Sequence, residues 1–468
     1  MLCGVLSCII PMKTLRLFAA LPLLAAALMA APASDMVLPE QLFPQLDGIL
    51  KKAVQQSPRM LSRALDLEIA ENGRISARSG MLPSIGAAYS YYKSKDKQSL
   101  LYDNPGSSSS NTYTLTKTPY SASISQPIFY WGERRNIAHL GEIALTIAQG
   151  QYREAYRLLA QTLRGEYMRL ILLKLTATRS SYYRDTTASQ LKQEEDRLAK
   201  KVTSEAEIFS VRINAERAQI AAERADFDLQ NATNAFGRLA GLGSAFTSND
   251  IPDSIPEATY NANGLNYVLA AFLAQKDPTT TEAAALRQQL EIEKLNYEIT
   301  KTRLWPKLNA SAGMSQDEQN NYFGSGQKYK VTSLYAGFSI NWSIFDGFAA
   351  SAATRNTLAR RRILENDYRQ LTERLGQDAQ TQVKLAEFAA RNMSITDRLL
   401  VSGEGNLRAK NEEFNRGVRS EAEVNQAKLS LYDAQINAFS ARREYLLNVG
   451  DFLGTVMEDP VLANLATK

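Results

Sequence analysis

The sequence repeats itself at an offset of 216 residues. Lys201-Val-Thr-Ser-Glu-Ala-Glu207 in the first copy corresponds to Gly417-Val-Arg-Ser-Glu-Ala-Glu423 in the second, and Ile128-Phe129 corresponds to Ile344-Phe345. Each copy has a Leu-Pro or Trp-Pro pair, then strand-like segments, a Phe-x-x-Gly or Phe-x-Gly signal and a long stretch without proline. A tandem duplication of a unit this large predicts a pseudo-symmetric assembly rather than a single pocket.

The N-terminus has the pattern of an export signal. A basic start precedes an apolar run at residues 17–30, and an Ala-Pro-Ala cleavage site ends at Ala33. We therefore expect residues 1–33 to be a signal peptide, with an upstream extension before its basic start. Cys3 and Cys8 both lie in this segment, so the predicted mature chain has no disulfide and no thiolate metal site.

Composition argues against two classes of protein. The chain has 54 Lys and Arg against 49 Asp and Glu, interspersed, for a net charge of +5. This small excess gives no case for a nucleic-acid partner. After the signal peptide no run approaches the roughly 20 apolar residues of a membrane-spanning helix. Membrane β-strands have a weaker hydropathy signal, so this pattern does not exclude a membrane protein.

Proline is absent from residues 128–251 and from residues 307–459, and good helix formers fill both stretches. They predict very long helices; residues 133–200 would span about 100 Å. In the second half of each stretch, apolar residues recur every third or fourth position and most are alanine. This spacing predicts coiled-coil hairpins with closely packed axes.

Four segments alternate between apolar and small or polar residues, as strands with two different faces do. They lie near residues 85–91, 308–315 and 333–344, and near residues 112–128, where the alternation is mixed. Polar residues 93–111 and 316–330 separate the members of each pair and are predicted to be long surface loops. Aromatic residues gather at the strand ends, as in the interfacial girdle of outer-membrane barrels.

Four strands in a bilayer would leave open edges with unpaired backbone groups, so the chain would have to form an oligomer. Two alternatives remain from the residues alone. The first is an oligomer whose strands span a bilayer. In the second, the strands form an ordinary sheet and the chain is a periplasmic coiled-coil adaptor or scaffold. This second hypothesis explains the helices but explains the paired alternating segments poorly.

Catalytic patterns are absent from the sequence. His139 is the single histidine, and it has no neighbours at metal-ligand spacing. No phosphate-binding glycine loop, nucleophile elbow or catalytic triad order is visible. We predict that the chain is not an enzyme and that it has no cofactor and no metal site.

The order of these motifs resembles the outer-membrane efflux protein family of the TolC type. Ser125-Gln-Pro-Ile-Phe-Tyr-Trp-Gly132 and Asn341-Trp-Ser-Ile-Phe-Asp-Gly-Phe348 are similar to that family's strand-to-helix junctions. Gly417-Val-Arg-Ser-Glu-Ala-Glu-Val424 resembles its helical tip, and Leu453-Gly454 resembles its closing motif. The expected junction residues are Pro127, Phe129, Gly132, Phe345 and Gly347.

The resemblance implies an α+β membrane protein that forms a homotrimer in the outer membrane of a Gram-negative bacterium. Each protomer would give four strands to a 12-stranded β-barrel in outer-membrane lipid, continuous with a long periplasmic α-helical barrel. The channel would be a passive duct for drugs, metals or type I secreted protein, joined to a periplasmic adaptor and an inner-membrane pump. The expected divisions are a first repeat at 34–250, a second at 251–456 and a tail at 457–468.

The resemblance also implies a periplasmic gate at the tip of the last helical hairpin. Its residues would be Phe414, Arg419, Glu423 and Gln426. The two tips would dock the adaptor, through Lys201, Val202, Ser204, Glu207, Gly417, Val418 and Ser420. Lys201 stands where the family commonly has glycine, so we expect the first tip to turn differently from the second.

Overall fold

The computed structural model describes residues 36–101, 108–322 and 326–465, so the predicted signal peptide at 1–33 lies outside the described residues. The helices are α1 (Pro39–Leu42), α2 (Pro44–Gln56), α3 (Pro58–Ser79), α4 (Glu133–Ala199), α5 (Glu205–Ala240), α6 (Ala262–Leu273), α7 (Thr281–Lys301), α8 (Ala349–Asn415) and α9 (Glu421–Thr455). The strands are β1 (Ser84–Tyr89), β2 (Tyr92–Leu101), β3 (Ser108–Lys117), β4 (Tyr120–Phe129), β5 (Lys307–Tyr322) and β6 (Gln327–Asn341). The predicted α+β fold with long helices and an antiparallel sheet is confirmed.

The two longest helices, α4 and α8, each contain 67 residues, as the proline-free stretches predict. Each is about 100 Å long and turns back into a shorter helix, α5 or α9. Alanines of the predicted seams are buried there, including Ala218 and Ala222 in α5 and Ala427 and Ala438 in α9. Among the described residues, no helix is both long and apolar enough to cross a membrane.

The duplication is visible in the backbone conformation. The ends of α4 and α8 differ by 216 residues, and so do the first residues of α5 and α9. In the described part of the chain, four residues other than glycine have a positive φ, and each aligns at this offset with a positive-φ glycine. The pairs are Trp131 with Gly347, Phe348 with Gly132, Lys201 with Gly417, and Met457 with Gly241.

The sheet consists of four long antiparallel strands, two of which are interrupted. β1 pairs with β4 and β2 with β3 in one continuous register, and the Ser90 amide bonds the Pro119 carbonyl at the interruption. β4 and β3 both pair with β5, which pairs with β6. The prediction of loops at residues 93–111 and 316–330 is wrong for the described parts of these segments, because β2 and β3, and likewise β5 and β6, continue far into them; residues 102–107 and 323–325 lie outside the described residues.

The apolar core extends from the middle of α4, which packs on α2, α5, α9 and the C-terminal residues, to α8, which packs on α6 and α9. Arg164 in α4 is 1% exposed and binds two carboxylates. Its Nη1 lies 2.7 Å from Asp459 Oδ2, and its Nε lies 2.9 Å from Glu40 Oε2. Burial disfavours the charged guanidinium, but Asp459 and Glu40 outweigh it and hold the pKa of Arg164 above its ordinary value. This cluster ties both ends of the described chain to the long helix.

Candidate functional site

The four-stranded sheet has two chemically different faces. One row across it contains Ile85, Ile124, Ala312 and Ala336, and the next row contains Ser84, Ser125, Ser311 and Gly337. Successive side chains of a strand point to opposite faces, so this alternation separates an apolar face from a small and polar one. The apolar face is uncovered: Leu334 is 80% exposed and Phe338 is 77% exposed.

Aromatic residues line the end of the sheet that joins the helices. The Trp131 indole donates to the Pro306 carbonyl at 2.7 Å, and its ring lies 4.7 Å from Phe129 and 4.8 Å from Trp305. In the second copy, the Phe345 ring lies 5.3 Å from Phe348. These rings are at least 40% exposed, which fits a membrane-interface position.

The predicted junction residues occupy the turns between strands and long helices. Pro127 and Phe129 flank a register shift in β4, where the missing proline amide is tolerated. Gly132 has φ 82° and Gly347 has φ 64°, so glycine serves a left-handed position in each junction. Lys307 binds Glu133 at 2.5 Å, which clamps the start of α4 to the start of β5.

The tip between α8 and α9 brings the predicted gate residues Arg419 and Glu423 together. Arg419 Nη1 lies 2.8 Å from Glu423 Oε1, and Arg419 Nε lies 3.0 Å from Glu413 Oε2. Glu423 also accepts a hydrogen bond from the Ser420 amide, and Ser420 Oγ caps α9. The sequence reasoning missed Glu413, which stands six residues before Arg419 in the last turns of α8.

These contacts shift the pKa values of the tip carboxylates. The Ser420 amide and then Arg419 hold the pKa of Glu423 below its usual value. Arg419 does the same for the pKa of Glu413. The cluster is therefore ionised at neutral pH, with one guanidinium between two carboxylates.

Two of the four predicted gate residues do not join this cluster. The Phe414 side chain is 42% exposed, and the Phe414 carbonyl accepts the Gly417 amide at the end of α8. Gln426 is exposed one turn into α9, and its carbonyl accepts the Ser430 hydroxyl. Both lie close to the tip in the chain, but within the described residues the ion pairs of this cluster connect Arg419 with Glu413 and Glu423, and Lys410 with Glu413.

The first tip has the same conformation as the second, so the expectation of a different turn is wrong. Lys201 has φ 59° and Gly417 has φ 76°. The Val202 amide bonds the Arg197 carbonyl at 2.9 Å, as the Val418 amide bonds the Glu413 carbonyl at 3.0 Å. Each pattern is a Schellman helix end, whose hydrogen bonds hold even lysine in the left-handed region.

The two tips differ in charge at matching positions. Thr203 aligns with Arg419 and donates to Glu207 at 2.6 Å, so a neutral hydroxyl replaces the guanidinium. Ser204 caps α5 as Ser420 caps α9. Val202 and Val418 are 64% and 70% exposed, so both tips present an apolar side chain beside a helix start.

Contacts between the two hairpins were also missed. Arg179 in α4 binds Asp433 in α9 at 2.6 Å, and the Tyr182 hydroxyl donates to Asn425 at 2.6 Å. Lys428 Nζ lies 4.3 Å from the centre of the Tyr182 ring. Arg179 and Tyr182 align with Ile395 and Arg398 in the other copy, so no repeated motif marks these contacts in the sequence.

Comparison with known proteins gives one family and several similar folds. The chain matches a family model described as outer membrane efflux protein at residues 49–242 and 281–449, well over half of its length. No curated protein sequence matches it.

Solved structures of several channels have a similar fold. The outer membrane protein VceC of Vibrio cholerae aligns with TM-score 0.59 at 16% identity, over 90% of this chain and 98% of that one. The Campylobacter jejuni CmeC outer membrane channel aligns with TM-score 0.63 at 11% identity, over 88% and 86%. The Neisseria gonorrhoeae MtrE outer membrane channel, solved in its open state, aligns with TM-score 0.58 at 15% identity, over 88% and 89%.

Proposed function

The chain belongs to the outer membrane efflux protein family, and from that premise we propose that it is the passive exit duct of a tripartite efflux system. Three copies would each give four strands to a 12-stranded barrel in the outer membrane. The long helices would continue this barrel into the periplasm. No catalytic step is part of the proposal, and energy would come from an inner-membrane pump reached through a periplasmic adaptor.

The observation that carries the proposal is the two-faced sheet. Its apolar face suits lipid, and its serine and glycine face suits a water-filled lumen. Backbone groups at an open edge in lipid cost several kcal/mol each when unpaired. Among the described residues, the β1–β2 strand and β6 each pair on one side only, so both edges need a second copy.

Exposed apolar side chains on the helices support assembly with further copies. In α3, Leu61, Leu65 and Ile69 recur every four residues and are each more than half exposed. In α8, Phe388 and Leu399 are at least 60% exposed. Contiguous apolar stripes of this kind mark protein contacts, and identical copies packed side by side would cover them.

The tips would serve two roles, gating and docking. Arg419 bound to Glu413 and Glu423 would hold the last hairpin in one conformation, with Phe414 and Gln426 narrowing the entrance. The contacts of Arg179 and Tyr182 would keep the two hairpins together in the closed state. For the adaptor, both tips offer matching surfaces, through Lys201, Val202, Ser204, Glu207, Gly417, Val418 and Ser420.

Small molecules are the proposed cargo, because the description of the family names efflux. The pump would select which molecules pass through the duct. Type I protein secretion would use the same duct with another pump. The hypothesis of a periplasmic scaffold conflicts with the family's outer-membrane location, and we do not retain it.

The test is membrane fractionation, followed by mass determination in detergent and conductance in planar bilayers. We expect the chain in the outer membrane at three protomer masses, with channel openings after reconstitution. A matched control is the chain without β5 and β6, which would lack the closing strands and should give no conductance. A soluble monomer, or a trimer that never conducts, would refute the duct.

A further inference from the structure

The apolar face of the sheet ends at a row of hydrogen-bonded side chains. The Tyr120 hydroxyl donates to Gln316 Oε1 at 2.7 Å, and the Thr332 hydroxyl donates to the same oxygen at 3.2 Å. Tyr89 pairs with Tyr120 on the edge strand. These contacts place Tyr89, Tyr120, Gln316 and Thr332 in one row. This row lies on the apolar face, because Leu334 follows Thr332 by two residues in β6 and therefore points to the same side of the sheet.

Beyond this tyrosine row the same face carries lysines. Because side chains alternate, Lys93, Lys95 and Lys97 in β2 continue the face of Tyr89, and Lys328 and Lys330 in β6 continue that of Thr332. The register runs unchanged through the interruptions, since Lys93 pairs with Thr116, Thr116 with Asn320, and Asn320 with Lys328. We call these five residues the lysine belt.

The contacts of the neighbouring row confirm this orientation. Tyr92 and Lys117 pair on the opposite face, where the Lys117 ammonium lies 6.0 Å from the Tyr92 ring centre. All five belt lysines are exposed. Within the described ranges none of their ammonium groups is in an ion pair. Glu318, which pairs with Lys330 between β5 and β6, is the acidic residue in the rows that contain the belt lysines.

We propose that the lysine belt binds the phosphate groups of lipopolysaccharide in the outer leaflet of the outer membrane. This rests on the proposed orientation, with the apolar face in lipid and the helices in the periplasm. Lys330 lies four residues beyond Leu334, about 13 Å along the strand, which is about 10 Å along the membrane normal for a tilted strand. That step leads from the acyl chains into the headgroup region.

Charge and position together select this partner. Ammonium groups bind phosphate as point charges, and a cluster of four to eight basic residues beside an apolar surface is typical of anionic-lipid recognition. The belt lies on the lipid side of the sheet, so cargo in the lumen would not reach it. Three copies would repeat the cluster around the barrel.

The experiment measures binding of lipid A to the purified trimer in neutral detergent. The probes are bisphosphorylated lipid A and the same lipid after phosphatase treatment. We expect the native protein to bind the phosphorylated lipid at least about tenfold more tightly, with the difference falling as salt rises. Changing all five belt lysines to glutamine should reduce the difference to less than about twofold.

The matched control removes the same charge elsewhere. Lys52, Lys192, Lys200, Lys276 and Lys384 are exposed and lie outside the sheet, so their change to glutamine should leave the phosphate preference unchanged. Changing the belt lysines to arginine should keep it. A native trimer without phosphate preference, or a folded glutamine variant that retains this preference, would overturn the proposal that the lysine belt binds lipid phosphate. Conductance of the same trimer tests the duct separately, so a conducting trimer without phosphate preference refutes the belt alone.

Discussion

Lys201 and Gly417 lie 216 residues apart and have the same left-handed backbone, with φ of 59° and 76°. Only glycine adopts this region without a steric penalty, since a Cβ approaches the following carbonyl. The first tip therefore keeps a conformation that its own residue disfavours. The hydrogen bonds of the Schellman motif, repeated in both tips, supply the compensation.

Replacing Lys201 by glycine should stabilise the first tip by about 1 kcal/mol, because the left-handed strain disappears. Gly417→Ala should destabilise the second tip by a similar amount, because a Cβ there meets nothing within 4 Å and adds only strain. Hydrogen exchange of the tip amides measures both changes. Faster exchange at Val202 in Lys201→Gly would contradict the prediction.

Removing Glu423 should make the closed duct leakier, because Arg419 loses one of its two carboxylate partners. We expect the open population of Glu423→Ala to rise about two- to fivefold, the usual range for exposed ion pairs, and to rise further with Arg419→Ala. Single-channel recording and sensitivity to a large antibiotic check this. Glu207→Ala is the matched control for the conductance measurement, since within the described residues Glu207 bonds Thr203 and Ser204 and makes no ion pair. Unchanged conductance in both Glu423 variants would remove these residues from the gate.

Acid should open the tip only below the usual carboxylate range. The pKa values of Glu413 and Glu423 are lowered in the folded tip, so their stabilisation is present above the unfolded pKa of about 4.3. That stabilisation is lost as the pH falls through the lowered values. Conductance should therefore stay constant from pH 7 to about pH 5 and increase in more acidic buffer. A rise centred near pH 6 would assign opening to other groups.

Loss of Arg164 should be severe, because it would leave the buried carboxylate of Asp459 and the partly buried carboxylate of Glu40 without a charged partner. Arg164→Met is expected to cost about 3–5 kcal/mol. Arg169 lies five residues further along α4 and forms an exposed pair with Glu166, so Arg169→Met should cost less than about 1 kcal/mol. Thermal dissociation of the trimer compares the two variants. Equal stability of both would refute a structural role for the buried cluster.

Local patterns predicted much of this molecule correctly. The proline-free stretches predicted very long helices, and the expected span of residues 133–200 matches α4 (Glu133–Ala199). The alanine spacing predicted the hairpin seams, because helix propensity and periodicity act over neighbouring residues. Alternation found β1 and the apolar parts of β5 and β6, and was mixed over the segment that contains β4. It failed at residues 93–111 and 316–330, where both faces become polar and strand pairing continues without an alternating signal.

The sequence by itself determined the duplicated helix–strand plan and the capped tips, since caps, glycines and alternation are encoded within a few residues. The tertiary structure alone decided which distant groups meet. Arg164 binds Asp459, 295 positions away, and Arg179 binds Asp433, 254 positions away. It also showed that Lys201 turns as glycine does. Such contacts depend on how the long helices pack, which is a property of the whole chain and not of any local pattern.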